Sequence, residues 1–280
     1  MTQPPALTDR AALERHRSRA RRAGPETFLF DLVADEIQER LEEVNRSFTS
    51  VAVVTGFPEY WAARFPGARI VADTEVLDLA EGAHDLVVHA LSLHWANDPV
   101  GQIVQCRRAL RPDGLFMAAM FGGRSLNELR TALAEAEARI TGGISPRVVP
   151  MAEIRDIGAL LQRAGLALPV ADADLRDVTY ATLSDLVRDL RGMAETNALA
   201  ARRRVPMSRA LWHDVARIYA GNFPADGDRL KATVETIYLA GWAPDPSQQK
   251  PLRPGSARAR LSDALSTQEL ILPDHTGTPE

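Results

Sequence analysis

The chain has 280 residues, 33 basic and 37 acidic side chains, a formal charge of -4, 45% hydrophobic residues and 25% charged residues. These values are typical of a globular protein of one or two domains. The single cysteine, Cys106, excludes a disulfide-stapled extracellular scaffold and a cysteine-based zinc ribbon. The longest apolar run covers residues 115–121, far fewer than the roughly 18 to 20 residues that span a bilayer.

The N-terminal segment is rich in arginine. Residues 9–22 contain six arginines, and helical periodicity continues without a break through residues 28–48. Because the segment lacks the apolar core of a secretory signal, residues 1–48 are interpreted as a helical lead-in, with a mitochondrial presequence as the alternative. Its basic face is expected to be solvated, although such a face also suits an acidic partner or an anionic surface.

Short apolar runs separated by helical segments predict a sheet. Residues 51–54, 70–72, 85–91 and 115–121 suit buried strands, and residues 27–41 and 100–110 have helical spacing. This alternation predicts an α/β, Rossmann-like fold whose mostly parallel central sheet has helices on both faces.

The second half of the chain is predicted to be mainly helical. Thr182 and Ser208 are expected to cap two of its helices, and residues 123–207 are interpreted as a helical lid or partner surface. Residues 166–170 form another strand candidate, and residues 233–242 suit a last, antiparallel strand at the sheet edge. The main domain is placed at residues 49–250, and residues 251–280 are expected to be largely irregular.

Ligands of open α/β sheets bind at the carboxyl ends of the central strands, so the loops after residues 54, 71 and 91 form the candidate site. The first loop has one glycine, Gly56, followed by the bulky Phe57 and by Pro58. The sequence contains no G-x-G-x-x-G, P-loop or G-x-S-x-G motif. Dinucleotide dehydrogenases, NTPases and α/β hydrolases are therefore disfavoured.

Several motifs carry a family resemblance. Residues 85–88 (DLVV), 91–98 (LSLHWAND) and 110–114 (LRPDG) resemble the second half of a class I S-adenosylmethionine-dependent methyltransferase domain. Residues 119–123 (AMFGG), 142–146 (GGISP), 189–197 (DLRGMAETN) and 237–242 (IYLAGW) are similar to the family of the mitochondrial complex I assembly factor described as an arginine hydroxylase. The resemblance covers roughly residues 7–263.

The resemblance implies S-adenosylmethionine as cofactor and an arginine of a complex I subunit as target. Family members have a glycine-rich loop after the first strand, an acid after the second for the ribose hydroxyls, and an acid after the third near adenine. On that pattern Gly56, Asp73, Thr74 and Leu91 are the candidate cofactor residues. His94, expected near the methyl end of the cofactor, is the candidate acid/base residue, or else a structural histidine beside a core Trp95.

The segment between the first strand and the strand at residues 85–91, which would form part of the cofactor pocket, has fewer residues than expected. Only 30 residues separate Val54 from Asp85, whereas two strands and three crossovers need about 40. One βα unit is therefore predicted to be missing. The surviving strand, residues 70–72, is expected to align with the third strand of the family, and the ribose acid is then lost with the second.

Two other kinds of site are disfavoured. His84, His89 and His94 are spaced by five residues, which suits neither one helix face nor one strand face, so no metal site is predicted. Cys106 lies within a predicted helix and is expected to be a small buried side chain.

Two hypotheses remain open. The first is an S-adenosylmethionine-dependent enzyme that modifies a protein arginine, and the second is a methyltransferase-like scaffold that has lost its cofactor. Under both, the expected partner is a protein, in particular a respiratory complex I subunit, and no nucleic acid or transmembrane segment is expected. The expected location is the bacterial cytoplasm, with a peripheral position at the inner membrane as a further option.

Overall fold

A computed structural model of the chain describes residues 6–249 and residue 267. Of the described residues, residues 6–245 form one compact unit. The predicted irregular tail, residues 251–280, lies outside the described residues except for Thr267. Across the described part of the chain, no helix is both long enough and apolar enough to cross a membrane.

Helices and strands alternate through the first half of the compact unit. Its elements are α1 (Arg10–Ala23), α2 (Phe28–Glu43), β1 (Val51–Thr55), α3 (Pro58–Arg64), β2 (Arg69–Ala72), β3 (His84–Ala90), a 3-10 helix (Leu93–Trp95), α4 (Pro99–Ala109) and β4 (Leu110–Phe121). The prediction of one unbroken N-terminal helix is wrong, because Gly24 takes a φ of 87° and α1 ends there.

The second half contains helices and two long strands. Its elements are α5 (Asn127–Thr141), α6 (Ile154–Arg163), β5 (Ala167–Tyr180), α7 (Leu183–Gly192), α8 (Arg209–Asn222), β6 (Pro224–Ala225) and β7 (Arg229–Trp242). The hydroxyl groups of Thr182 and Ser208 accept the amides of Asp185 and Leu211 at 3.2 Å, so both predicted caps are confirmed. The segment interpreted as a helical lid, residues 123–207, also contains β5, which joins the central sheet.

The strands form one mixed sheet in the order β2-β1-β3-β4-β7-β5, with the short β6 paired to β7. Strands β1 to β4 are parallel, and β7 is antiparallel to both β4 and β5. The antiparallel direction of β7 is confirmed, but its predicted position at the edge is wrong. The more polar β5, which exposes Val170 and Leu175, forms the edge, while the largely buried β7 lies inside.

Alternate residues of each central strand face opposite layers of the core. In β1, Val53 packs with α2 and the second-half helices α5, α7 and α8, whereas Ala52 and Val54 pack with α4 and α6. In β4, Met117 belongs to the first cluster and Phe116 to the second. This two-residue period places helices on both faces of the sheet, as predicted.

The strand next to β1 corrects the predicted alignment. β2 pairs directly with β1, with Ala72 opposite Thr55. In doubly wound sheets the second strand lies beside the first and the third lies outside it, so β2 has the place of a second strand and not of a third. No helix or strand is described between β2 and β3, which confirms that one βα unit is missing and identifies it as the third.

The inner position of β7 predicts a large stability difference between two strands. Ile237→Ala should lower the free energy of unfolding by about 2–5 kcal/mol, because the Ile237 side chain is 0% exposed in the centre of the sheet. Val170→Ala on β5, where Val170 is 55% exposed, should change it by less than about 0.5 kcal/mol. Urea unfolding of both variants tests this, and equal losses would contradict the strand order.

Candidate functional site

The start of α1 is fixed against the loop that follows α7. The Asp9 carboxylate accepts the Ala12 amide at 2.9 Å and caps the helix. The Asp9 amide donates to the Ala198 carbonyl at 2.8 Å, and Thr8 pairs with Leu199. From this anchor α1 crosses the carboxyl ends of β1 and β2, the predicted place for a ligand.

One face of α1 carries three arginines that contact those strand ends. Arg10, Arg17 and Arg21 are spaced by seven and four residues, which places them on one side of a helix. Arg17 is 3% exposed, so the interpretation of the basic face as solvated is wrong for this stripe. The spacing of the three arginines is the sequence signal that could have revealed it.

Arg17 forms a buried, two-pronged ion pair with Asp73, the residue that follows β2. Its Nη1 lies 2.6 Å from Asp73 Oδ1, and its Nη2 lies 2.9 Å from Oδ2. Arg10 Nη2 is 3.2 Å from Asp73 Oδ1. Both Asp73 oxygens thus accept hydrogen bonds from guanidinium groups. Asp73 is itself 3% exposed, so the pair is shielded from water.

The two arginines determine the charge of Asp73. Burial alone would raise the pKa of Asp73, but the guanidinium groups of Arg17 and Arg10 lower it below its ordinary value. The carboxylate is therefore ionised at neutral pH and neutralised from within the chain.

Gly56 allows the close approach of Arg17. A Cβ at position 56 would overlap the Arg17 guanidinium where it now lies, so glycine lets Arg17 take this position without a shift. The Gly56 amide donates to Ser92 Oγ at 3.1 Å, and its carbonyl accepts Arg21 Nη1 at 3.0 Å. The Arg17 guanidinium of α1 therefore lies beside the loop after β1, where it contacts both Gly56 and Asp73.

The residues after Gly56 do not occupy this space. Phe57 is 7% exposed and packs edge-on against Phe30, with ring centroids 4.9 Å apart in the core. Pro58 begins α3 at a position where a missing amide proton is tolerated. Phe57 therefore belongs to the core and Pro58 to the start of α3, and Arg17 is the side chain that lies beside Gly56.

The other two predicted cofactor residues have local roles. The Thr74 hydroxyl donates to the Val76 carbonyl at 2.7 Å, and Thr74 is exposed. Leu91 is buried with a φ of 46°, an uncommon conformation for a residue other than glycine, and its amide donates to Ala119. Their part in cofactor binding stays a prediction.

His94 is paired with a carboxylate that the sequence interpretation missed. His94 Nε2 lies 3.2 Å from Glu195 Oε2, and Trp95 Nε1 donates to the same oxygen at 3.1 Å. The Trp95 ring is buried, and His94 Nδ1 has no hydrogen-bond partner within the described residues. Glu195 lies in the quoted stretch of residues 189–197, but only tertiary structure brings it to His94. A catalytic role for His94 stays a prediction.

His89, His84 and Cys106 are buried residues of the compact unit. His89 Nε2 is 2.7 Å from Gln102 Oε1, and burial lowers the pKa of His89 to about 4. His84 lies at the other end of β3, where burial lowers its pKa. Cys106 is fully buried and burial raises its pKa, so the expected packing role is confirmed. Within residues 6–249 no three potential ligands cluster in a way that could hold a metal ion.

Comparisons with known proteins agree with this architecture. Residues 31–118 match a family model described as a methyltransferase domain. The chain is 35% identical over 222 residues to the mitochondrial arginine-hydroxylase NDUFAF5 of Danio rerio, covering 79% of this chain and 69% of that protein. It is 36% identical over 193 residues to the malonyl-[acyl-carrier protein] O-methyltransferase of Laribacter hongkongensis, covering 69% and 62%.

A solved structure and the human relative complete the comparison. A putative methyltransferase from Bacillus halodurans is 12% identical with a TM-score of 0.46, covering 74% of this chain and 98% of that one. The human NDUFAF5 is 36% identical over 208 residues, covering 74% of this chain and 60% of the human protein. The chain thus spans less than two thirds of the human relative.

The strand order, the helices on both faces and the position of the glycine loop define a class I methyltransferase fold. Within that class, the chain belongs to the family of the mitochondrial arginine hydroxylase NDUFAF5.

The buried pair predicts that Asp73 is a structural residue. Asp73→Asn should lower the free energy of unfolding by about 3–5 kcal/mol, because it leaves Arg17 buried without a counter-charge. The matched control is Asp78→Asn: the Asp78 side chain is 90% exposed and pairs with a half-exposed Arg69 at 2.7 Å. The control should lose less than about 1 kcal/mol in urea unfolding at pH 7.

The stability of the wild type and of Asp73→Asn can also be compared at acidic pH. Since the folded-state pKa of Asp73 lies below the unfolded value of about 3.9, its contribution is complete above that pH and disappears as the pH falls through the folded pKa. The difference in stability between the wild type and Asp73→Asn should shrink accordingly. A difference independent of pH would show that the charge of Asp73 is not what stabilises the site.

Proposed function

We propose that this chain is a non-catalytic member of its family, which promotes assembly of a respiratory complex through contact with a protein subunit. The observation that carries the proposal is the buried Arg17–Asp73 pair seated on Gly56. Arg17 lies beside Gly56 and binds the Asp73 carboxylate, and these are two residues that the family resemblance assigns to S-adenosylmethionine binding.

The residues around Gly56 and Asp73 do not fit an adenosyl ligand. Ribose hydroxyls need a carboxylate that is free to accept their hydrogen bonds, and Asp73 already accepts hydrogen bonds from two guanidinium groups. A ligand would have to displace Arg17, and breaking a buried pair costs about 3–5 kcal/mol, which weakens binding roughly 10²- to 10⁴-fold. The missing third βα unit also removes the strand end that would supply the acid near adenine.

Recognition of a protein partner is the part of the family's role that requires no cofactor. Relatives of this chain are named mitochondrial arginine hydroxylases, and such an activity requires recognition of a protein. We infer that recognition is retained while the chemistry is lost. The partner is then a complex I subunit, met in the cytoplasm or at the inner face of the membrane.

Calorimetry tests the loss of cofactor binding. Titration of S-adenosylmethionine into the purified chain should show no binding tighter than about 1 mM, because Arg17 fills the cleft. A low-micromolar dissociation constant would contradict the proposal. The control is the Asp73→Asn variant: any heat seen equally in both proteins does not come from this cleft.

The enzyme hypothesis is the second candidate, favoured by the position of Asp73. As the residue after the second strand, Asp73 stands where the resemblance places the ribose acid, and Gly56 stands in the glycine loop. If Arg17 moved out on ligand binding, these two residues would become available. His94, which follows β3 and is paired with Glu195, would then be the acid/base candidate.

Mass spectrometry separates the two hypotheses. The arginine-bearing complex I subunit would be compared between wild-type cells and cells in which this chain is deleted. Under the scaffold proposal, the arginine has the same mass in both strains and assembly fails only in the deletion strain. Loss of one oxygen atom or one methyl group from the arginine in the deletion strain would establish catalysis.

A further inference from the structure

Two adjacent cavities lie away from the Arg17–Asp73 pair. The larger, called here the vestibule, has a volume of about 1180 Å³ and lies between α1, α5, α7 and the start of α8. The smaller, called the chamber, has a volume of about 160 Å³. Both are lined by the same six residues, so they share a wall: Leu129, Leu133, Arg147, Val187, Thr196 and Asn197.

The vestibule is strongly cationic. Its lining contains five arginines from four different segments: Arg19, Arg147, Arg188, Arg191 and Arg209. Glu26 and Asp189 are the two carboxylates that line it, although the chain as a whole has a net charge of -4. Arg147 and Arg188 are paired with Glu137 and Asp185, whereas Arg19, Arg191 and Arg209 form no ion pair within residues 6–249. Because arginines outnumber carboxylates in its lining, the vestibule attracts a ligand that carries negative charge.

The chamber is apolar and of the size of one side chain. Thirteen of its eighteen lining residues are apolar, among them Trp95, Phe121 and Leu190. Glu195 also lines it, but its carboxylate is already bonded to Trp95 and His94. An apolar cavity of about 150 Å³ is large enough to bind benzene, so this chamber suits an aromatic or large aliphatic group.

Arg147 stands where the two cavities meet. Its Nη2 lies 2.7 Å from Glu137 Oε1, and its Nε has no hydrogen-bond partner within the described residues. Burial alone would raise the pKa of Glu137, but bonds from Arg147 and Ser145 lower it to about 2. Glu137 is therefore ionised at neutral pH and holds Arg147 in place, with Nε as an unused buried donor.

We propose that the vestibule and chamber together bind an acidic segment of a protein partner that inserts one large apolar side chain into the chamber. The proposal rests on the protein-contact function proposed above and names the chemistry of the contact. A vestibule of about 1180 Å³ exceeds the roughly 300–1,000 Å³ of small-molecule pockets and suits a peptide segment. The five arginines oppose a basic segment and favour carboxylates around the anchor side chain.

Fluorescence anisotropy with short labelled peptides tests this inference on the full chain. The probe is a decapeptide of alternating glutamate and glycine residues with one central phenylalanine. One comparison peptide replaces that phenylalanine by alanine, and another replaces the glutamates by lysines. Binding of the first should be at least tenfold tighter than binding of either comparison peptide, since burial of a phenylalanine and charge complementarity are each worth a factor of ten or more.

Charge reversals on the protein locate the binding site. Arg191→Glu combined with Arg209→Glu should weaken binding of the phenylalanine peptide at least tenfold, because both residues line the vestibule. The matched control is Arg163→Glu on α6, an exposed arginine that does not line either cavity. It should change binding less than twofold. Circular dichroism confirms that each variant is folded.

Three results would overturn the inference. They are equal binding of the three peptides, an equal loss in the Arg163 control, and arginine-dependent binding to phosphatidylglycerol vesicles that the peptide does not displace. The last result would assign the vestibule to a membrane surface. Because these readouts contain no S-adenosylmethionine, peptide binding can fail while calorimetry still supports a scaffold, and it can succeed even if the cofactor binds.

Discussion

The ion pair between Arg17 and Asp73 is the constraint on which the N-terminal part of the structure depends. Two charges removed from water are tolerated only when they are paired with good geometry, and here each Asp73 oxygen meets a guanidinium nitrogen of Arg17 within 2.9 Å. The pair therefore determines where α1 lies. It also gives Gly56 a role, because a Cβ there would overlap the guanidinium in its present position.

The position of α1 connects this pair to the rest of the molecule. The face of α1 that carries Arg17 closes the strand ends, while Arg19 and Ala20 line the vestibule against α5 and α7. In our proposal α1 is therefore a fixed part of the structure. A methyltransferase fold then supplies a rigid frame for protein contact, which accords with the rule that function is determined by sites and not by folds.

Local charge matters more here than net charge. The chain is slightly acidic overall, yet α1, α7 and α8 bring arginines from distant parts of the sequence to one concavity. The same grouping opposes the approach of a substrate arginine from that side. The vestibule favours contact with an acidic partner, and the paired Asp73 is an independent observation that disfavours binding of a cofactor.

The local pattern of the sequence determined most of the elements. Short continuous apolar runs predicted β1, β3 and β4, cap residues predicted the starts of α7 and α8, and the count of residues between Val54 and Asp85 predicted the missing βα unit. These features depend on neighbouring residues and chain length, so a single sequence contains them. The quoted motifs likewise identified the family.

Tertiary structure alone decided the rest. Strand pairing placed β2 beside β1 and β7 inside the sheet, because pairing depends on which faces are buried and not on order along the chain. Arg17 reaches Asp73 across 56 positions, and His94 reaches Glu195 across 101. The sequence shows the residue types of such pairs, but only folding brings them together. For this reason α1, whose basic face was predicted to be solvated, places Arg17 in a buried ion pair.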